Sequence, residues 1–452
     1  MQNLDSFFNP QSIAVIGASR TQGKVGYTIL ENIKLTFKGK IYPINPNTTE
    51  IMGLNCFPSV LSIKEPIDLA VIAVPAEEVH KVLEECIGKK IRSIIIIASG
   101  FSEIGEKELE LKLKDISKGK SRIIGPNCLG IYQKNLDTMF LPIERLKRPF
   151  EGSISFISQS GAVGSALIDV IANEGVGISK FISIGNRVDV SEIELLEYLG
   201  KDLNTRAIAL YIESIADGKD FVEVAKKITK KKPVVAFKAG KTHKGSEAVA
   251  SHTGSLAGEA EIYSAGFKQA GIIEAESLED IFDFSKALAS QPAMKDNKIA
   301  IVTDGGGFGI VGTDAAIKLG LELPRLSSES EKSLKNILPK YGVYHNPIDL
   351  TGDATSERYH KVLDVVFKDK NISGVIVMVL FQVPLLGDDI IDVLRDCKIY
   401  GKPFVVCSAG GSWVQEKNRK LEGFGIPVYP MPERGIRALW SLYEYGQILK
   451  RK

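Results

Sequence analysis

Ile13-Ala-Val-Ile16-Gly17-Ala18-Ser19-Arg20-Thr-Gln-Gly23-Lys24-Val25-Gly26 is a short β-branched apolar run that stops at small residues and passes into a helix-compatible pattern. The same order returns twice. Ile154-Ser-Phe-Ile157 runs into Ser158-Gln159-Ser160-Gly161-Ala162, and Ile299-Ala-Ile-Val302 runs into Thr303-Asp304-Gly305-Gly306-Gly307-Phe308. Each arrangement puts a helix N-terminus just beyond the C-terminal end of a buried strand, where unpaired N–H groups and the helix dipole attract anions.

Between these openings, apolar runs at 41–44, 69–74, 93–98, 207–212, 233–237, 374–380 and 403–407 alternate with amphipathic segments. That alternation predicts parallel sheets covered by helices, an α/β architecture. The chain of 452 residues exceeds one core. Proline-bearing polar stretches around 141–152 and 290–296 divide it into three expected domains, 1–145, 146–292 and 293–452.

Composition narrows the function. With 44% hydrophobic residues, 25% charged residues and a formal charge of +2, the chain has no basic field for nucleic acid and no polybasic stretch for a lipid surface. The run Lys230-Lys231-Lys232 before Pro233 is expected to be a solvated helix end. Five scattered cysteines form neither a disulfide framework nor a zinc pair, and no apolar run is long enough to span a bilayer. A cytoplasmic enzyme is expected. Cys128 has no histidine in its own domain apart from His80, so it reads as a packed thiol rather than a nucleophile.

The first glycine turn departs from G-x-G-x-x-G in its spacing, and the second strand ends at Asn45-Pro46 where a nicotinamide-binding fold carries an acid for the ribose. A dehydrogenase reading therefore loses its anchor. Arg20 and Lys24 favour a ligand with extra phosphate on its ADP portion, although surface charge explains them equally well. Further strand ends carry Val74-Pro75-Ala76, Ser99-Gly100-Phe101 and Gly125-Pro126-Asn127. This set, in this order, resembles the CoA-binding domain of the nucleoside-diphosphate-forming acyl-CoA synthetases. The resemblance implies that Gly17, Ala18, Ser19, Arg20, Lys24, Val25, Asn45, Pro46, Val74, Pro75, Ser99, Gly100, Phe101 and Asn127 wrap coenzyme A.

Of five histidines, His252 in Ala250-Ser251-His252-Thr253-Gly254-Ser255 has small neighbours that leave room for a bulky anion. His243 reads as solvated, and His80, His345 and His360 have no clear partner. Neutral imidazole is nucleophilic enough to take a phosphoryl group, but it needs a carboxylate to fix its tautomer. Glu213, at the end of the apolar run Ala207–Ile212, is placed for that; a strand-end Glu also serves as a plain solvated group.

The segments 158–161, 211–214, 251–255 and 304–307 together resemble the phosphate-site and phosphohistidine motifs of the same family. The resemblance implies a Rossmann-like CoA-binding domain followed by two flavodoxin-like, succinyl-CoA synthetase-like doubly wound domains. It assigns phosphorylation to His252, orientation to Glu213, and phosphate binding to Ser158, Gln159, Ser160, Gly161, Asp304, Gly305, Gly306 and Gly307. Gly185 and Asn186 resemble an acyl-phosphate pocket. The third glycine turn lies in the same chain, as in the archaeal-type acetyl-CoA synthetases. No ATP-grasp region is legible, so the resemblance also implies a β subunit of that fold carrying ADP or ATP with magnesium, in an α2β2 heterotetramer acting on acetyl-CoA or a related small carboxylic acid. A non-catalytic CoA-binding subunit of the same fold is the competing reading.

Overall fold

The computed structural model describes residues 4–253 and 259–451, and the side chains of 250–253 fall outside the description together with 254–258. The chain forms two compact units, one of residues 1–173, 177–232 and 236–270, the other of 174–176, 233–235 and 271–452.

In the first unit the strands Lys40–Ile44, Ser12–Ile16, Leu69–Ile72, Ser93–Ile96 and Arg122–Ile124 lie side by side in that order, all parallel. A second sheet, to which the first unit contributes most strands, includes in order Val234–Lys238, Ala207–Ile212, Glu151–Ser158, Ile178–Ser183, then the antiparallel strands Ile131–Gln133 and Leu136–Asp137. In the second unit the order is Ile348–Asp349, Ile299–Thr303, Gly374–Met378, Phe404–Cys407 and Val428–Tyr429, again parallel. Every apolar run singled out in the sequence contains a strand.

In each sheet the opening strand lies between the second and third parallel strands. Its neighbouring connections leave in opposite directions, and a crevice opens beyond the strand ends at that point. The opening strand Ser12–Ile16 is buried throughout because helices cover both faces. One covering helix shows how a single stripe is buried. Gly218–Thr229, capped by the Asp217 side chain, turns Phe221, Val224, Ala225 and Ile228 inward, the spacing of a single helical face.

The lysine run that follows this helix departs from expectation. Lys232 is not a solvated end: its ammonium reaches the carbonyls of Leu199 at 2.9 Å and Asp202 at 2.5 Å. The carboxylate of Asp202 meanwhile accepts from Lys180 at 2.6 Å. His345 also gains a partner, with Nδ1 3.1 Å from Glu331. His243 is exposed, as expected, beside Glu247. Among the described residues no helix is long and apolar enough to cross a membrane.

Candidate active site

At the first crevice, glycine is required by contact as well as by turn geometry. Gly17 has φ +88°, and a Cβ there would sit 2.6 Å from the Ala73 carbonyl of the third strand's loop. A Cβ on Gly26 would lie 1.9 Å from the Gly17 carbonyl, so the helix Val25–Thr36 can approach the turn only without a side chain. The Asn45 amide donates to Ala18 O at 2.8 Å, and its oxygen accepts from Asn47 N. The residue standing where a ribose-binding acid would be is thus spent on holding the turn. Arg20 and Lys24 stand exposed at the rim with Val25, Pro46 and Pro75, and Val74 is half-buried beside Gly17.

A seam within the same unit joins the first sheet's loops to the second sheet. Gly185, at φ +53°, lies so close to the Pro126 carbonyl that a Cβ would be 2.1 Å from it. Asn186 N donates to Pro126 O at 2.9 Å, and Asn127 Nδ2 donates to the Asn186 side-chain oxygen at 3.2 Å. The Asn186 amide donates to Glu103 at 2.6 Å and Glu110 at 2.8 Å. Glu103 in turn accepts the N–H groups of Gly100 at 2.5 Å and Phe101 at 3.2 Å. Burial opposes its charge, but these donors outweigh it and hold the carboxyl below its usual range. Phe101 is fully buried, and its N–H is taken by Glu103. Ser99 is exposed above it.

The second crevice assembles the acid–base candidates. Gln159 closes it: its side-chain oxygen accepts from the backbone N–H groups of Glu213 at 2.7 Å and Ser214 at 3.0 Å, while its NH2 donates to Ser214 O at 2.8 Å. With those three bonds made, the Gln159 side chain is a bracket for the Glu213 turn. Ser158 Oγ donates to Ser160 O, and Ser160 Oγ accepts from Val163 N at 3.3 Å, which shapes the start of the helix Gly161–Glu174.

Two residues that spacing did not single out also meet here. Arg187, in a left-handed conformation, donates to Ser214 O and Ser214 Oγ, each at 2.8 Å, and pairs with Glu192 at 3.0 Å. Lys238, at the end of the neighbouring strand, is buried with its ammonium 4.6 Å from the Tyr263 ring centroid. Burial lowers its basicity, and the negative charge of Glu213 opposes that shift. The helix His243–Thr253 follows, anchored where Val249 packs 2.7 Å from the position of a Gly240 Cβ. The backbone of His252 belongs to this helix, but its side chain, with Ser251, lies outside the described residues, as do Gly254 and Ser255.

In the second unit, Gly305 caps the helix Gly306–Lys318. Cβ atoms on Gly305 and Gly306 would lie 2.7 Å from Leu380 Cδ1 and from an Asp349 carboxylate oxygen, whereas one on Gly307 would meet nothing within 4 Å. Asp304 is buried and accepts from Leu380 N at 3.0 Å, so it bridges the two strand ends as Gln159 does. Burial, against that hydrogen bond, pushes its carboxyl up to about 7.

The thiol of Cys128 is buried and raised to about 12, which fits a packing role. A cavity of about 720 Å³ lined by Leu4, Asp5, Tyr198 and Asp202 lies by residues that precede the strands, away from the glycine turns. None of the site residues singled out in the sequence lines it.

Three family models match along the chain. A CoA binding domain matches residues 11–134, a succinyl-CoA ligase-like flavodoxin domain 151–288, and a Ligase-CoA domain 299–448. The chain is 40% identical to subunit alpha of the ADP-forming acetate–CoA ligase I of Pyrococcus furiosus, covering 98% of each. It is 46% identical to the ADP-forming acetate–CoA ligase of Methanocaldococcus jannaschii over 97% of this chain, but spans only 62% of that protein's length. The dinucleotide-forming acetyl-coenzyme A synthetase 1 of Ca. Korarchaeum cryptofilum, solved with phosphate and ADP, superposes with a TM-score of 0.92 at 37% identity, covering 99% of this chain and 98% of that one.

Proposed function

The chain belongs to the ADP-forming acetate–CoA ligase family, and from that premise we propose that it is the catalytic α subunit of an enzyme converting acyl-CoA, phosphate and ADP reversibly into the free acid, CoA and ATP. A phosphate oxygen attacks the thioester carbonyl, the C–S bond breaks, and CoA leaves. An imidazole nitrogen of His252 then attacks phosphorus. The N–P bond forms as the P–O bond to the acyl group breaks, and the carboxylate departs. An ADP phosphate oxygen finally takes the phosphoryl group. Such transfers depend mainly on placement and on charge stabilisation.

The observation that carries this reading is the fixing of Glu213 by Gln159 at the start of a small-residue helix, in the unit that also holds the His252 helix. Glu213 orients the imidazole, and the helix starts at Ser158–Gly161 and Asp304–Gly307 bind phosphate. The loops around Gly17, Asn45, Val74, Gly100 and Asn127 take coenzyme A, and Gly185 and Asn186 border the acyl group. Acetate is the favoured acid.

The remaining length of the Methanocaldococcus jannaschii relative supports placing ADP and magnesium on an ATP-grasp β subunit, in an α2β2 assembly. The cytoplasm, where thiols stay reduced, suits five cysteines that are all free. Mass spectrometry after incubation of the chain with acetyl-CoA, phosphate and its partner should show an acid-labile gain of about 80 Da, one phosphoryl group, lost in His252→Ala. A non-catalytic CoA-binding subunit would show no such species, and ATP synthesis surviving in His252→Ala would refute the mechanism.

A further inference from the structure

The strand Val234–Lys238 is apolar for four residues and then ends in a lysine only 1% exposed. Burying an ammonium costs several kcal/mol unless charge and hydrogen bonds offset it, on the order of what a whole domain has to spare. Its Nζ donates to Ala239 O and lies 4.6 Å from the Tyr263 ring centroid. The Tyr263 hydroxyl accepts from Ile215 N at 3.1 Å, which ties the ring to the turn that follows Glu213. Ala239 N donates to Ile212 O at 2.9 Å, so the end of the lysine's strand runs alongside the start of that turn. Glu213 is the negative group whose field reaches Lys238.

We propose that Lys238 is a positioning residue of the phosphoryl-transfer site: its buried ammonium, seated on the Tyr263 ring that is tied to Ile215, holds the Glu213 turn in place for His252. Being buried, it acts through Glu213 instead of binding phosphate itself. The inference rests on the reading of Glu213 given above. Among the described residues, the other titratable or charged groups around Glu213 are Tyr211 on its own strand, Lys241 beyond Lys238, Tyr263, and the Arg187–Glu192 pair at Ser214. Lys241 and Arg187 remain when Lys238 is replaced, so the site keeps some positive charge.

The test follows incorporation of labelled inorganic phosphate into the full chain, with the partner subunit, over a range of acetyl-CoA concentrations. In Lys238→Met the maximal rate should fall by roughly tenfold or more with the KM for acetyl-CoA little changed, because lost positioning acts on the transfer step and not on CoA binding. Lys238→Arg should restore much of the rate. In a Glu213→Gln background, Lys238→Met should add no further loss. If Lys238→Met fails to fold by circular dichroism, Lys238→Gln takes its place. An unchanged maximal rate in Lys238→Met, or losses that multiply in the double variant, would overturn the proposal. Glu213→Gln phosphorylated at the normal rate would instead overturn the parent reading, so the two failures are distinguishable.

Discussion

Replacing Asp304 by asparagine isolates the cost of a buried carboxylate at the third glycine turn. Its carboxyl is raised from an ordinary 3.8 to about 7, first by burial, with the Leu380 N–H and Tyr359 opposing and Asp349 adding to the rise. The folded chain therefore holds a proton that the unfolded chain has lost between those values, and stability falls as pH rises through that window. At about 1.36 kcal/mol per unit the full effect is at most roughly 4 kcal/mol, of which about 3 falls between pH 5 and pH 8. An asparagine oxygen can still accept from Leu380 N, now 3.0 Å from Asp304 Oδ1, and the amide does not titrate. The difference in unfolding free energy between Asp304→Asn and the parent should thus swing toward the variant by up to that amount from the acidic to the alkaline condition. Both tryptophans, Trp413 and Trp440, lie in the second unit, so urea unfolding followed by tryptophan fluorescence reports on the right part of the molecule. A difference that stays constant across pH would refute the argument.

Gly307→Ala should fold at least as well as the parent, because its Cβ meets open space and alanine is favoured in a helix by roughly 0.5–1 kcal/mol. It should nevertheless slow phosphate-dependent ATP synthesis; an unimpaired rate would remove this turn from the phosphate site. Gln159→Leu strips the acceptor from the N–H groups of Glu213 and Ser214, so thermal unfolding should show a loss of about 1–3 kcal/mol. Phosphohistidine formation should fall with it, and a stable, fully active variant would contradict the bracket role. The thiols of Cys128, Cys397 and Cys407, all pushed up to about 12, should resist Ellman's reagent in the native chain at mildly alkaline pH. Rapid labelling of the folded chain would contradict their burial.

Much of the molecule was legible because strand ends and glycine turns are local. Ala207–Ile212 was readable as a strand from its apolar run, which put Glu213 beyond its end, and the turns at Gly17, Ser158 and Asp304 stand where the sequence put them. What escaped was long-range. Arg187 reaches Ser214 across 27 positions, and Gln159 reaches Glu213 across 54. No spacing rule reveals such pairs. One local signal was available, the lysine that closes the otherwise apolar run Val234–Phe237, since a charge at the end of a buried strand calls for a partner. Lys232 misled for the opposite reason: a basic run after a helix looks solvated unless the two carbonyls that receive it are already in view.

The three crevices share one strand order yet differ in what bridges the opening strand to the third, and that difference sorts their chemistry. At Gly17 the bridge is bare backbone pressed on Ala73, which leaves a surface an extended ligand can follow closely. At Ser158 it is the neutral amide of Gln159, which satisfies the turn without adding charge and leaves the carboxylate of Glu213 to act. At Thr303 it is Asp304, whose raised pKa lets it be neutral near physiological pH. An ionised carboxylate there would repel an anion at Gly306 and Gly307, and a bound dianion would in turn favour the protonated form. Phosphate affinity at that turn should therefore weaken as pH rises through about 7 in the parent and not in Asp304→Asn, apart from the ionisation of phosphate itself, which is common to both. Isothermal titration of the two chains with inorganic phosphate separates these cases, and parallel pH dependences would show that Asp304 holds the strands together without tuning the site.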